Sequence, residues 1–267
     1  MQRPLPEVAG EGGRLLGLLR GQRIEGFERS FKMSRGALLG ERALVGVPRR
    51  GARPESLIGI CRALAMPAPY LAAFADGLAA ADIVHFGYED SPSGWLYKVY
   101  LEYAARVYGA GKGGAPFLLH LAYKWDALAP ERRAVARYEC FPGIETSEIL
   151  VRLRQLYAGQ PDAPSLAAAS GIASLVAARS GEAPMYLEVA EEGNPRASFD
   201  LNLHPAGLRL SEVEPFLRDL QCRYAIAEDG FSPLWQRVRG EKLGHVAGGR
   251  SREGDDFFTV YHEVSGA

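Results

Sequence analysis

Two rhythms of apolar and polar positions take turns along this chain. Over residues 69–82, PYLAAFADGLAAAD, apolar side chains recur three and four apart, with Leu71, Phe74 and Leu78 on one stripe, which predicts a helix. The next run, IVHFGYED, alternates residue by residue, and EDSPSG has turn chemistry. WLYKVYLEYA then alternates again with aromatic and β-branched residues. Helix, strand, turn, strand is the unit that results.

Later stretches repeat it with less regular spacing. PFLLHLAYKWD and AVARYECF read as a second strand pair, followed by a helix, TSEILVRLRQLYAG, for which Thr146 or Ser147 is the expected cap. SLAAASGIASLVAARSG reads as a helix ending at Gly181, and MYLEVAEEGNPRASFDLNLH as a hairpin turning at GNP. SEVEPFLRDLQCRY opens on Ser211 with Glu214 three residues later, the spacing of a capping box. FSPLWQRVRGEKLG, HVAGG and DFFTVYHEV close the chain, and RIEGFERSFKM with RALVGVPRR makes a weaker first pair. About five hairpins separated by helices follow, an αββα repeat with a period of about 45–60 residues.

Each strand has two unlike faces. In WLYKVYLEY, Tyr97, Val99, Leu101 and Tyr103 oppose Lys98, Tyr100 and Glu102. In FLLHLAYKW, Phe117, Leu119, Leu121, Tyr123 and Trp125 oppose His120 and Lys124, and in SFDLNLH, Phe199, Leu201 and Leu203 oppose Ser198, Asp200, Asn202 and His204. The apolar face is where the helices bury their stripes. Two α+β architectures satisfy this. An open antiparallel sheet would leave its polar face in water, whereas a closed sheet of about ten strands, with the helices outside, would turn that face into a lumen. Tyr100, Tyr186 and Tyr261, read as lying among charges on the inner face, favour the closed barrel, formed by residues 1–267 as a single domain.

Composition narrows the function. Of 267 residues, 47% are apolar and 24% charged, which excludes general disorder. With 31 basic and 32 acidic residues the net charge is −1, no footprint for nucleic acid. No apolar stretch is long enough for a membrane span, and MQRPLPEVAGEGG lacks the layout of a secretory signal. Cys61, Cys140 and Cys222 form no C-x-x-C pair and read as reduced thiols of a cytoplasmic protein. Cys140, in a strand beside charges, is the single thiol that could serve as a nucleophile. GAGKGG lacks the P-loop ending, and ASGIAS is not a nucleophile elbow.

The succession of αββα units with a polar-aromatic lumen resembles the ABBA-type aromatic prenyltransferases. The segment HFGYEDSPSGWLYKVYLEY is similar to their hairpin in which a strand lysine is followed by an aromatic, and KLGHVAGG with DDFFTVYHEV is similar to their final hairpin. The resemblance is one of layout and extends over most of the chain. It implies transfer of a prenyl group from an isoprenoid diphosphate to an aromatic or peptide acceptor in a biosynthetic pathway. It also maps Lys98 and Tyr100 onto the family's lysine and following aromatic.

The residues themselves allow that chemistry. Lys98, Lys124 and Arg137 read as sharing the polar face of successive strands, where preorganised cations would neutralise a departing diphosphate. Tyr100, Tyr186 and Tyr261 would line the path of an allylic cation. Glu89, Glu102 and Glu139 are the candidate bases, or else counter-ions of a solvated face. No DDxxD metal motif is present; no resident cofactor is expected, with Mg²⁺ beside the diphosphate as the option. Two rivals stay open. His85, His120 and His204 share the polar face, where Asp200 could join them as metal ligands, although their spacing gives no support. A non-catalytic barrel binding a small hydrophobic ligand is the other. Neither the acceptor nor the oligomeric state is legible in the sequence.

Overall fold

The computed structural model of the chain describes residues 10–91 and 94–263. The first nine residues of the N-terminal stretch read as lacking a secretory-signal layout, Pro92 and Ser93 of the EDSPSG turn, and Val264 of the last strand lie outside them. Ten strands pair in five hairpins: β1 (Gly26–Ser34) with β2 (Ala37–Pro48), β3 (Ile83–Ser91) with β4 (Gly94–Glu102), β5 (Phe117–Trp125) with β6 (Arg133–Phe141), β7 (Met185–Glu191) with β8 (Ala197–Asn202), and β9 (Lys242–Arg250) with β10 (Asp256–Glu263). Every neighbour is antiparallel, and β1 pairs with both β2 and β10, so the sheet closes on itself. The closed form of the two expected architectures is the one adopted.

Helices cover the barrel in two groups, each burying an apolar stripe against the outer strand faces. Leu15 and Leu16 of α1 (Gly10–Leu18), Leu57 and Ile60 of α2 (Pro54–Ala63) and Phe74 of α3 (Ala68–Gly77) pack with Val45, Phe86, Val99, Leu101 and Trp125. Trp125 also donates from Nε1 to the Leu64 carbonyl at 2.8 Å, tying β5 to the end of α2. After the short α4 (Ala105–Gly109) comes the second group, α5 (Thr146–Leu156), α6 (Pro164–Ser180), α7 (Glu214–Arg223) and α8 (Glu228–Val238). Ile149, Ile172, Leu217, Phe231 and Trp235 from these helices meet Phe199, Leu201, Val246, Phe258 and Val260. Each such side chain contributes about 1.5–3 kcal/mol on full burial. Gly171 lets α6 meet α7, since a Cβ there would stand 2.3 Å from the Phe216 ring.

Helix ends differ in detail from the sequence expectation. The residue flanking α5 is Glu145, with Thr146 already helical, and no side chain caps it. At Ser211 the chain forms a short 3₁₀ turn, Leu210–Val213, and it is the Glu212 carboxylate that accepts from the Arg209 amide at 2.8 Å. Gly181 does end α6, in the left-handed conformation at φ 73°.

Between the two helix groups the outer layer thins over β6. There Arg133, Arg137 and Glu139 are exposed to solvent, and α4 buries none of its five residues. The strand faces invert accordingly. Ala134, Ala136, Leu187 and Val189 take the inner side of β6 and β7, and Arg133, Arg137, Glu139 and Glu188 take the outer one. No helix among the described residues is long and apolar enough to cross a membrane.

Candidate functional site

The inner strand faces enclose a cavity of about 770 Å³. Its polar residues fall into three layers along the barrel axis, because side chains two apart on one strand step along the lumen. On β4 the steps are Lys98, Tyr100 and Glu102; on β3 they are Glu89, Gly87 and His85 in the opposite direction.

The first layer is cationic. Lys98 and Lys124 stand directly opposite each other on β4 and β5. Like charges in that position repel, and carboxylates from strands to either side offset the repulsion. Lys98 bonds Glu89, which also holds Arg42 of β2 at 2.6 Å. Lys124 bonds Glu191 at the end of β7, 2.8 Å away, and Arg196 and Arg252 reach the same carboxylate at 2.8 Å each. Lys32 lies 4.5 Å over the Phe257 ring and completes six cations around two buried glutamates. Burial lowers the lysines despite their partners, Lys98 to about 7 and Lys32 and Lys124 to about 8. For the glutamates burial works the other way, and the cations outweigh it. Arg42 and Lys98 hold Glu89, and Lys124 and Arg196 hold Glu191, well below the usual carboxylate range.

A tyrosine belt follows. Tyr100 and Tyr138 meet edge-to-face at 5.7 Å, and Tyr261 projects from β10 beside Arg42. Burial raises all three phenols, Tyr261 to about 12, so they remain neutral hydroxyls near pH 7. Leu44, Leu187 and Val189 are among the apolar residues of the wall.

The third layer pairs imidazoles with carboxylates. His85 bonds Glu102 through Nε2, and His120 packs between His85, 6.1 Å away, and Tyr138, 5.6 Å away. His245 Nδ1 lies 2.9 Å from Asp200, and His204 Nδ1 lies 2.8 Å from Glu263. Burial pushes His120 down to about 4. Burial would lower His245 too, but Asp200 and Glu28 outweigh it and raise the group to about 9. Burial likewise works against ionised Glu102, yet His85 beside it holds the carboxyl at about 2.

These layers bring together Lys98, Lys124, Tyr100, Tyr261, Glu89, Glu102, His85 and His120. Three expected lumen residues are elsewhere. Arg137 and Glu139 point outward into solvent on β6. Tyr186 is fully buried on the outer side of β7, with its ring 5.8 Å from Phe141 and its hydroxyl on Glu188. His204 does not join His85 and His120; it sits with His245, and Asp200 is a partner of His245. Cys140 is buried with Leu119 and Leu187, and burial raises its thiol to about 11, which argues against a nucleophile.

Sequence reasoning missed Arg42, Glu191, Tyr138, Glu28 and His245 as parts of the site. Arg196 and Arg252 were missed too, because they reach the lumen from turns. The alternation of MYLEVAE, once its inner face is taken as Met185, Leu187 and Val189, does point to Glu191.

Fold and lumen together define a closed barrel of αββα units enclosing a polar, aromatic-belted chamber. Among solved structures it is similar to 5-dimethylallyltryptophan synthase from Streptomyces coelicolor, at 12% identity and a TM-score of 0.60, covering 90% of this chain and 81% of that one. It is also similar to 6-dimethylallyltryptophan synthase from Micromonospora olivasterospora in complex with DMASPP and Trp (15% identity, TM-score 0.58, 90% and 82% covered). The prenyltransferase NotF in complex with brevianamide F and DMSPP is a third (12% identity, TM-score 0.55, 91% and 82% covered). The chain thus has the fold of the ABBA-type aromatic prenyltransferases. No protein-family model matches it, and no curated protein matches it by sequence.

Proposed function

We propose that the lumen transfers a prenyl group from an isoprenoid diphosphate to a small aromatic acceptor. The observation that carries this reading is the segregation of the lumen into a cation layer, an aromatic belt and a hydrogen-bonding layer. Six cations around two carboxylates leave the first layer in need of an anion, and a diphosphate ester brings about three negative charges. Solved structures of this fold hold DMASPP with Trp, or DMSPP with brevianamide F, which agrees in kind.

The chemistry then follows the barrel axis. The C1–O bond breaks and its electron pair leaves with the diphosphate, whose growing charge Lys98, Lys124 and Arg42 stabilise. The allylic cation lies against Tyr100, Tyr138 and Tyr261, whose π faces stabilise it and whose bulk keeps water away. The ring of the acceptor attacks C1, and its displaced proton passes to a base of the third layer. Glu102 with His85 is that base. Glu89 is committed to Lys98 and Arg42 at the other end, and Glu139 lies outside the barrel. The cation set can neutralise the diphosphate without Mg²⁺.

Calorimetric titration with dimethylallyl and geranyl diphosphate tests the reading. Binding in the micromolar range is expected, and it should be competed by inorganic pyrophosphate. No heat at millimolar ligand would end it in favour of a barrel that binds a neutral molecule.

A further inference from the structure

Glu28 of β1, His204 of the 3₁₀ turn after β8 and His245 of β9 converge at the end of the lumen away from the lysines. We propose that these three residues form a binding site for one divalent transition-metal ion, of the class that takes imidazole and carboxylate ligands (Zn²⁺, Fe²⁺, Mn²⁺ or Co²⁺). Their donor atoms lie within 4.8 Å of one another. Glu28 Oε1 is 3.0 Å from His204 Nε2 and 3.9 Å from His245 Nε2. Donors bound about 2.1 Å from one metal stand about 3.0–3.4 Å apart, so small movements would bring this set into place.

Three further observations point to a ligand rather than a plain hydrogen-bond network. First, both imidazoles are oriented from behind. Asp200 and Glu263 lie 2.9 and 2.8 Å from the two Nδ1 atoms and so leave both Nε2 atoms on the Glu28 side, the arrangement of orienting carboxylates at metal sites. Second, Glu28 Oε1 is buried with no hydrogen-bond donor aligned on it among the described residues, although His204 Nε2 is close. Third, the wall behind is cut away. A Cβ on Gly244 would stand 2.4 Å from Glu28 Oε1 and 3.0 Å from the His204 ring, so only glycine leaves the cradle open.

The other cluster, His85, Glu102 and His120, lacks this framework. Glu102 bonds His85 Nε2 directly, and His120 Nδ1 is buried with no hydrogen-bond partner, and so no orienting carboxylate, among the described residues. Two nitrogens and one oxygen suit a borderline transition metal better than Mg²⁺, which prefers oxygen alone. All three ligands line the cavity, so water or an acceptor oxygen would complete the coordination. The site is separate from the diphosphate layer, and metal binding can be measured with no diphosphate present.

The test uses the whole chain, stripped with chelator and titrated with Co²⁺ and Zn²⁺. One equivalent is expected, with Co²⁺ giving visible d–d bands and no thiolate charge-transfer band. Glu28→Gln and His204→Ala should weaken binding about 100-fold or more, and Asp200→Asn about 10- to 100-fold. His120→Ala should leave it unchanged. Binding that survives both Glu28→Gln and His204→Ala, or that is lost in His120→Ala, would overturn the assignment. Should a variant unfold by circular dichroism, the wild-type Co²⁺ spectrum decides alone, and its absence at an excess of Co²⁺ would also overturn the proposal.

Discussion

At one end of the lumen Lys98 and Lys124 face each other and share two glutamates with four more cations; at the other, His85, His204 and His245 each have a carboxylate of their own. The two ends bury charge of opposite sign: the first gathers six cations around two glutamates, and the second gathers Glu28, Glu102, Asp200 and Glu263 around three imidazoles. A buried charge that lacks full compensation is costly unless something else supplies the missing partner. On the reading proposed above, the lysine end receives an anion that arrives from outside. On the same reading the histidine end, richer in carboxylates than in imidazoles, receives the acceptor's proton or a metal ion.

The largest effect that would break this contrast comes from Glu191. Its side chain is fully buried and is the shared partner of Lys124, Arg196 and Arg252. Glu191→Gln leaves three cations uncompensated and should lower stability by about 3–5 kcal/mol, since removing one member of a buried ion pair strands the others. Urea unfolding measures it. Added pyrophosphate should restore part of the loss, and no restoration would mean that the cations do not form an anion site. Next in size are Lys98→Ala and Lys124→Ala. Each removes a charge-assisted contact worth about 1.5–3 kcal/mol, so affinity for dimethylallyl diphosphate should fall about tenfold or more. Arg137→Ala, on the outer face, should leave that affinity unchanged.

Arg137 also marks the limit of what the sequence carries. Alternation located the inner faces of β3, β4 and β5 because α1, α2 and α3 cover those strands and demand apolar residues outside. Over β6 the helices thin out, and the same alternation, read by the same rule, turned Arg137 and Glu139 inward when they belong in solvent. Tyr186 failed for a related reason: β7 puts Leu187 and Val189 inside, and its tyrosine fills the edge of the outer core. The regrouping of His204 with His245 and Glu28 has another origin. β1 and β9 come near each other only because β10 closes the barrel between them, and no local pattern encodes that closure. Hairpins and helices were legible, since each rests on its own periodicity; the members of a layer drawn from opposite ends of the chain were not.

A subtler difference between the ends should emerge with pH. Lys98 is lowered to about 7 by burial and by the nearby Arg42 and Lys124, with Glu89 working against them. An unfolded lysine titrates near 10.4. Between these values the unfolded chain binds more protons at this position than the folded one, so the Lys98 contribution to stability rises with pH over that window. Diphosphate binding goes the opposite way, because it needs the ammonium. Affinity should fall several-fold from pH 6.5 to 9 in the wild type, as Lys98, Lys32 and Lys124 all lose protons in that window, and less steeply in Lys98→Met, which removes one of the three. Calorimetry in buffers of different ionisation heat should register proton uptake on binding near pH 8. Equal slopes in both proteins would remove Lys98 from the anion site.

The smallest expected effect separates the belt from the ends. Tyr100→Phe keeps the ring against Tyr138 and removes one hydroxyl, a change of about 1 kcal/mol in stability or binding. If the belt acts through its π faces, this variant should still direct the prenyl group to the acceptor. Tyr100→Leu removes the π face while retaining much of the apolar bulk, so it should let water intercept more of the cation, raising the proportion of prenyl alcohol relative to prenylated acceptor. The ratio of the two products, measured with a model aromatic acceptor, reads the difference directly. A larger rise in alcohol for Tyr100→Phe than for Tyr100→Leu would assign the work to the hydroxyl. The belt would then belong to the polar layers on either side of it.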